Sequence, residues 1–89
     1  MFTLEQIKEA VYEAVAEAYG VSEGILTPQT HYIDDLSTTS VKVLKMILFT
    51  NENLQLDDDE DNAVEFEDVR HCMILQDTID ALAQKYDAE

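Results

Sequence analysis

The sequence predicts an all-α fold, a small four-helix bundle. Three observations predict it. Apolar residues recur at helical spacing in successive segments, and none of these segments alternates in the manner of a half-buried strand. Two glycines and one proline in 89 residues are too few turn formers for a loop-rich β fold. Apolar residues make up 46 % of the chain, enough for one modest core at this length and not for two. No repeat and no break in composition divides the chain, so residues 1–89 read as a single domain.

The first helix is the plainest. Thr3 is a cap residue, and Gln6 completes a capping box. Leu4, Ile7, Val11, Ala14, Val15 and Ala18 then share one face. Gly20 supplies the stop, because glycine enters the left-handed cap without a steric penalty, so the helix is expected over residues 4–19. Residues 21–39 form a long connection with Gly24 and Pro28, and also with Val21, Ile25, Leu26, Tyr32, Ile33 and Leu36. A connection of this length in a small domain is functional or self-packed, and these apolar residues are expected to tuck under the helices. The second helix starts near Ser40. Val41, Leu44, Ile47 and Leu48 give it an apolar face, which Val43, Met46 and Leu54 widen, and it should fade near Asn53. An acidic stretch separates it from a short third helix expected over Phe66 to Cys72. The last helix has Leu75, Ile79, Leu82 and Tyr86 spaced for burial, and the tail from Asp87 to Glu89 is expected to fray.

The net charge is −15, from five basic and twenty acidic residues. Phosphate backbones and anionic membrane surfaces repel such a chain, which argues against nucleic acid and lipid headgroups as partners. The same charge favours a soluble monomer. No apolar run approaches the roughly 20 residues of a membrane span, and the first residues lack the pattern of a secretory signal. The single cysteine, Cys72, has no intramolecular disulfide partner, so a reducing cytoplasm is the expected compartment.

One stretch asks for more than a helix. Asp34–Leu44 reads DDLSTTSVKVL, with four hydroxyl residues in a row ahead of an apolar helical pattern. A cap needs one hydroxyl. A serine at a helix N-terminus holds its side chain outside the hydrogen-bond ladder, and an anionic group attached there faces unpaired N–H groups and the positive end of the helix dipole. The surrounding sequence, YGVSEGILTPQTHYIDDL from Tyr19 to Leu36, resembles the stretch before the modified serine of acyl carrier proteins. Gly-Val after the first helix, Thr-Pro, an aromatic residue and acid-acid-Leu recur there in this order. QDTIDAL, from Gln76 to Leu82, is similar to that family's last helix. The resemblance covers nearly the whole chain apart from an insertion in the acidic stretch, and it implies an acyl-carrier-like bundle.

In that family the serine lies four residues after the leucine, which places it at Ser40 when counted from Leu36. The resemblance implies that a phosphopantetheinyl transferase moves phosphopantetheine from coenzyme A onto Ser40. The terminal thiol of that arm would then carry acyl groups as thioesters for fatty-acid, polyketide or related synthase enzymes. Ser40 would be an attachment point and the chain would not be an enzyme: it has only His31 and His71 and no nucleophile elbow. Ser37, directly after Leu36, is a weaker alternative. A purely structural reading of Ser40 as a helix cap stands beside these. Two departures are specific. The family's Asp-Ser-Leu is Thr39-Ser40-Val41 here, and the second helix, usually acidic on its exposed face, carries Lys42 and Lys45. Asp35, Thr39, Val41, Lys42 and Lys45 are therefore the expected partner-recognition residues.

The acidic stretch, residues 57–68, reads DDDEDNAVEFED and holds eight of the twenty carboxylates. Calcium-binding EF-hand loops place oxygen ligands at alternating positions. Counted from Asp57, the candidates are Asp57, Asp59, Asp61, the carbonyl of Ala63, Glu65 and Asp68, a hard oxygen set suited to Ca²⁺ or Mg²⁺. Asn62 stands where the loop's glycine would be, and asparagine tolerates a left-handed turn. The rival reading is a solvated acidic loop. Cys72 reads as a small buried hydrophobe, and His31 and His71 as residues without ligand partners. Met46, Met73, Phe66 and Tyr86 read as core.

Overall fold

The computed structural model describes residues 1–89. Helix α1 spans Leu4–Tyr19. Thr3 and Gln6 form the expected capping box, with the Thr3 N–H donating to Gln6 Oε1 at 2.8 Å and the Gln6 N–H donating to Thr3 Oγ1 at 3.1 Å. Gly20 ends the helix in the left-handed region at φ 67°. Ile7, Val11 and Val15, one turn apart, are fully buried.

Helix α2 spans Ser40–Asn53, the short helix α3 Phe66–Val69, and helix α4 Leu75–Lys85. The architecture is the predicted all-α four-helix arrangement, and α1 packs against both α2 and α4. A single 3-10 turn, Glu23–Ile25, interrupts the long connection. On α4, Leu75, Ile79 and Leu82 are fully buried, as their spacing predicts.

The connection between α1 and α2 is bolted to the start of α4. The Leu75 N–H donates to the Thr30 carbonyl at 2.9 Å, the Gln76 N–H to the Pro28 carbonyl at 3.0 Å, and the Tyr32 N–H to the Met73 carbonyl at 3.0 Å. The Tyr32 and Thr78 hydroxyls share a buried hydrogen bond of 2.6 Å. Leu26, Tyr32 and Leu36 are buried, while Ile25 and Ile33 are exposed. So the segment folds under the helices in part and leaves two isoleucines outside.

Four expectations are corrected. On α2 the buried residues are Met46, Ile47, Thr50 and Asn51, whereas Val41, Leu44 and Leu48 are 61 %, 56 % and 52 % exposed. Two stripes of helical period overlap on this helix, and the one facing the core contains a threonine. Thr50 is buried without penalty because its hydroxyl donates to the Met46 carbonyl one turn back, at 2.7 Å. Helix α3 stops at Val69 instead of reaching Cys72. Phe66 and Met73, read as core, are exposed. The tail does not fray. Asp87 turns the chain at φ 49°, the Ala88 N–H donates to the Ala83 carbonyl at 2.8 Å, and the Leu4 N–H donates to the Glu89 carbonyl at 3.2 Å. Phe2 stacks edge-on against Tyr86 with ring centroids 5.2 Å apart, which ties both ends of the chain together.

Candidate functional site

The cap of α2 is Thr39. Its extended backbone sets the side chain across the helix end, where Oγ1 accepts the Lys42 N–H at 3.2 Å, and its carbonyl accepts the Val43 N–H at 3.0 Å. The capping position is thus filled, and Ser40 is the first residue of the helix proper, exposed to solvent. Its hydroxyl is not used as a cap. The Ser40 and Val41 N–H groups have no intramolecular acceptor, as expected of the first turn of a helix. A hydroxyl thus stands beside two free donors at the positive end of a fourteen-residue helix.

Ser40 also lies on the rim of a cavity of about 420 Å³ between the helices. Val43 and Met46 of α2 form one wall, and Phe66, Val69 and Arg70 at α3 form another. Tyr19, Tyr32 and Thr78 close it toward α1 and α4, with Cys72 beside them. Four of its hydroxyls are paired: Tyr19 and Thr38 share a hydrogen bond of 2.7 Å, and Tyr32 and Thr78 share theirs deeper in. Burial pushes the Tyr19 and Tyr32 phenols and the Cys72 thiol above their ordinary values, against the opposing effect of their threonine partners. These groups are therefore neutral near neutral pH. No imidazole or carboxylate lines the cavity, so the wall around Ser40 offers no base to take its proton.

The other sequence candidates are placed as follows. Ser37 is exposed, lies three residues before the helix at φ 50°, and does not line the cavity. Asp35 is exposed and its carboxylate accepts the His31 N–H at 2.8 Å. His31 has a structural role: its Nδ1 accepts the N–H groups of Ile33 and Asp34, each at 3.2 Å, and its backbone bridges to Ile74. Val41 and Lys45 are exposed, and Lys42 Nζ lies 5.9 Å from the centroid of the Tyr19 ring. Cys72 is half-buried instead of fully buried and belongs to the cavity wall.

The acidic stretch does not fold as a cation loop. Of the candidates Asp57, Asp59, Asp61, the Ala63 carbonyl, Glu65 and Asp68, no three carboxylates are grouped to hold a metal ion. The reasons are local. Asp59 is turned back on Asn62, accepting its side-chain N–H at 2.9 Å. Asp68 accepts Lys85 Nζ and the Glu65 N–H, both at 2.8 Å. Asn62 does not take the left-handed turn. Instead the stretch is pinned by apolar anchors, with Leu54, Leu56 and Val64 buried. Asn51 of α2 binds the backbone of Val64 from both sides: its Oδ1 accepts the N–H at 2.7 Å and its Nδ2 donates to the carbonyl at 3.1 Å. Sequence reasoning missed Asn51, and also the Tyr32–Thr78 pair, whose members are 46 residues apart.

Fold and site together define a small helical bundle that presents one hydroxyl at a helix mouth, beside a cavity between the helices that no imidazole or carboxylate lines. The comparisons with known proteins bear on this class. Over 83 residues the chain is 28 % identical to an acyl carrier protein of Chlorobium phaeobacteroides, a match spanning 93 % of this chain and 99 % of that protein. It is 25 % identical over 83 residues to an acyl carrier protein of Chlorobium phaeovibrioides, with the same coverage. No protein-family model matches the chain. The full-length similarity supports a divergent relationship to acyl carrier proteins. No helix is long and apolar enough to cross a membrane.

Proposed function

We propose that this protein is a carrier that holds acyl groups as thioesters on a phosphopantetheine arm attached to Ser40. The observation that carries the reading is the division of labour at the start of α2. Thr39 caps the helix, which leaves Ser40 exposed on the rim of the cavity with no structural duty. The similarity to two acyl carrier proteins along nearly their whole length supports it.

The residues fit the group. Ser40 Oγ would form the phosphodiester, and the free N–H groups of Ser40 and Val41 would face its anionic oxygens. When attached, phosphopantetheine supplies a flexible chain ending in a thiol. The protein's own residues supply the rest. Val43, Met46, Phe66 and Val69 give an apolar wall for a short acyl chain, and the paired hydroxyls of Tyr32 and Thr78 set its inner limit. The cavity carries no base, so a thioester held there would not meet a general base that could assist water against it. A transferase modifies the serine and synthase enzymes exchange the acyl groups, so the chemistry is performed by partners.

Co-expression with a broadly specific phosphopantetheinyl transferase, followed by intact-mass measurement, tests the reading. One phosphopantetheine mass is expected on the wild-type chain and none on Ser40→Ala. No addition to the wild type, or an addition that survives in Ser40→Ala, overturns it.

A further inference from the structure

The exposed face of α2 differs from the rest of the surface. Val41, Leu44 and Leu48 stand 61 %, 56 % and 52 % exposed at spacings of three and four residues, so they form one stripe. Lys45 is exposed within that stripe, and Lys42 is on the next turn face. Ser40 opens the same helix. Large apolar side chains grouped in this way mark an interaction surface more often than singly scattered ones do. The buried residues of α2 are Met46, Ile47, Thr50 and Asn51, and the helix packs against α1.

Charge decides what fits there. The chain carries only five cations. Arg70 and Lys85 are paired within the fold, with Glu67 at 3.3 Å and Asp68 at 2.8 Å. Lys42 and Lys45 have no carboxylate within ion-pair distance. Between Ser40 and Asn51, α2 has no acidic residue at all, and Glu52 is its first. The acid-dense run from Asp57 to Asp61 begins beyond the far end of α2. A partner resting on the first half of α2 meets the ammonium of Lys45 and that of Lys42 beside the Tyr19 ring, with no carboxylate on that stretch of helix.

We propose that the Val41–Leu44–Leu48 stripe docks a protein partner whose contact surface is an apolar patch rimmed by carboxylates, which pair with Lys42 and Lys45. This deepens the carrier reading, because the stripe leads to Ser40 and names the kind of enzyme surface that reaches it. A lysine-rimmed partner would leave both ammonium groups facing like charges, which is unfavourable even at a partly solvated interface.

The test is a resonance-shift titration of the isotope-labelled full chain with two synthetic amphipathic helical peptides. They share one leucine face and differ only in a rim of glutamates or of lysines. The glutamate-rimmed peptide is expected to shift the backbone resonances of Val41, Leu44, Lys45 and Leu48. Its affinity is expected to fall at least about tenfold in the double variant Lys42→Glu, Lys45→Glu, since two exposed ion pairs are lost and like charges then face each other. That variant adds acids to the first half of a helix, where they favour folding, so it keeps the fold. The lysine-rimmed peptide is expected to shift Asp57 to Asp61 instead. Seating of the lysine-rimmed peptide on the stripe overturns the proposal, as does an absence of shifts there with the glutamate-rimmed one. Shifts of the stripe with protein concentration alone also overturn it, since they assign the face to a second copy. Repeating the titration on Ser40→Ala separates the two readings. Docking is expected unchanged there, whereas the mass measurement alone judges the arm.

Discussion

Asn51→Ala removes both hydrogen bonds that hold Val64 to α2. Asn51 is 9 % exposed and Val64 4 %, so the freed Val64 N–H and carbonyl stay out of reach of bulk water unless the loop opens. A buried backbone group left without a partner costs about 1–3 kcal/mol, and two of them give about 3 kcal/mol once partial opening of the loop is allowed. For a domain of this length each kcal/mol moves the melting midpoint by about 4–8 °C, so a fall of roughly 12–24 °C is expected. Urea unfolding measures the free-energy loss and thermal unfolding the midpoint, both followed by far-ultraviolet circular dichroism. The comparison variant is Asn53→Ala, whose side chain is exposed and makes a single bond to the Ala10 carbonyl at 3.1 Å; about 1 kcal/mol or less is expected there. The loss in Asn51→Ala also reaches the cavity, because Val64 leads directly into Phe66 and Val69. Hydrogen exchange at the Arg70 N–H, bonded to the Phe66 carbonyl at 2.9 Å, is expected to speed up. If Asn51→Ala unfolds within about 0.5 kcal/mol of wild type, or matches Asn53→Ala, then Asn51 is not the anchor of the loop and the reasoning fails.

Three further outcomes follow from named contacts. Thr39→Ala is expected to lose about 1 kcal/mol of stability by removing the cap of α2, while Ser40→Ala stays within about 0.5 kcal/mol of wild type; equal losses in urea melts would return Ser40 to the capping role. The Tyr86 hydroxyl donates to the Asn62 carbonyl, and burial, with the carboxylates of Asp68 and Asp59 nearby, pushes its pKa up to about 12. Since the folded value lies above the unfolded one of about 10, its contribution is fully present below pH 10 and is lost as pH rises toward 12. The alkaline loss of stability should be shallower in Tyr86→Phe, and an unchanged profile would contradict this. Asp77 accepts the Met73 and Ile74 N–H groups at 3.0 and 3.1 Å, and these bonds hold its carboxyl below the ordinary range. Its contribution is present above an unfolded pKa of about 4 and is lost as pH falls below it, so Asp77→Ala should flatten the acid limb of the stability curve.

How much of this was legible in the sequence differs from helix to helix, for physical reasons. Helices α1 and α4 each carry one apolar stripe, and a single stripe has one way to face a core; Ile7, Val11 and Val15 and then Leu75, Ile79 and Leu82 are buried as read. Helix α2 carries two stripes, and periodicity alone does not rank them. The stripe with Val41, Leu44 and Leu48 is the more hydrophobic in sequence, yet the core takes the one with Met46, Ile47 and Thr50. A hydrogen bond from Thr50 to its own helix makes that polar residue acceptable inside. The acidic stretch failed for a similar reason. Alternating carboxylates can be read as ligands, but Asp59 and Asp68 are already engaged by Asn62 and Lys85, and the tether at Asn51 is thirteen residues from the Val64 that it holds. Pairings at such separations leave no local signal.

The proposed site is marked in the sequence by composition and not by register. Four hydroxyl residues before a helix mark the place, but which one caps is a matter of backbone register, and only the extended conformation of Thr39 assigns the cap to it and releases Ser40. The same substitution bears on partner choice. Where acyl carrier proteins, by the resemblance, set an aspartate before the serine, Thr39 fills the cap with a neutral hydroxyl. An aspartate would cap equally well, so capping does not require the change. Its distinctive effect is to remove one negative charge next to Ser40. Lys42 and Lys45 change the charge in the same direction two and five residues further on. Three departures at or near the start of α2, all toward positive, sit in a chain whose net charge is −15. On the docking proposal, a partner selected for acidic carrier helices should bind the first half of α2 poorly.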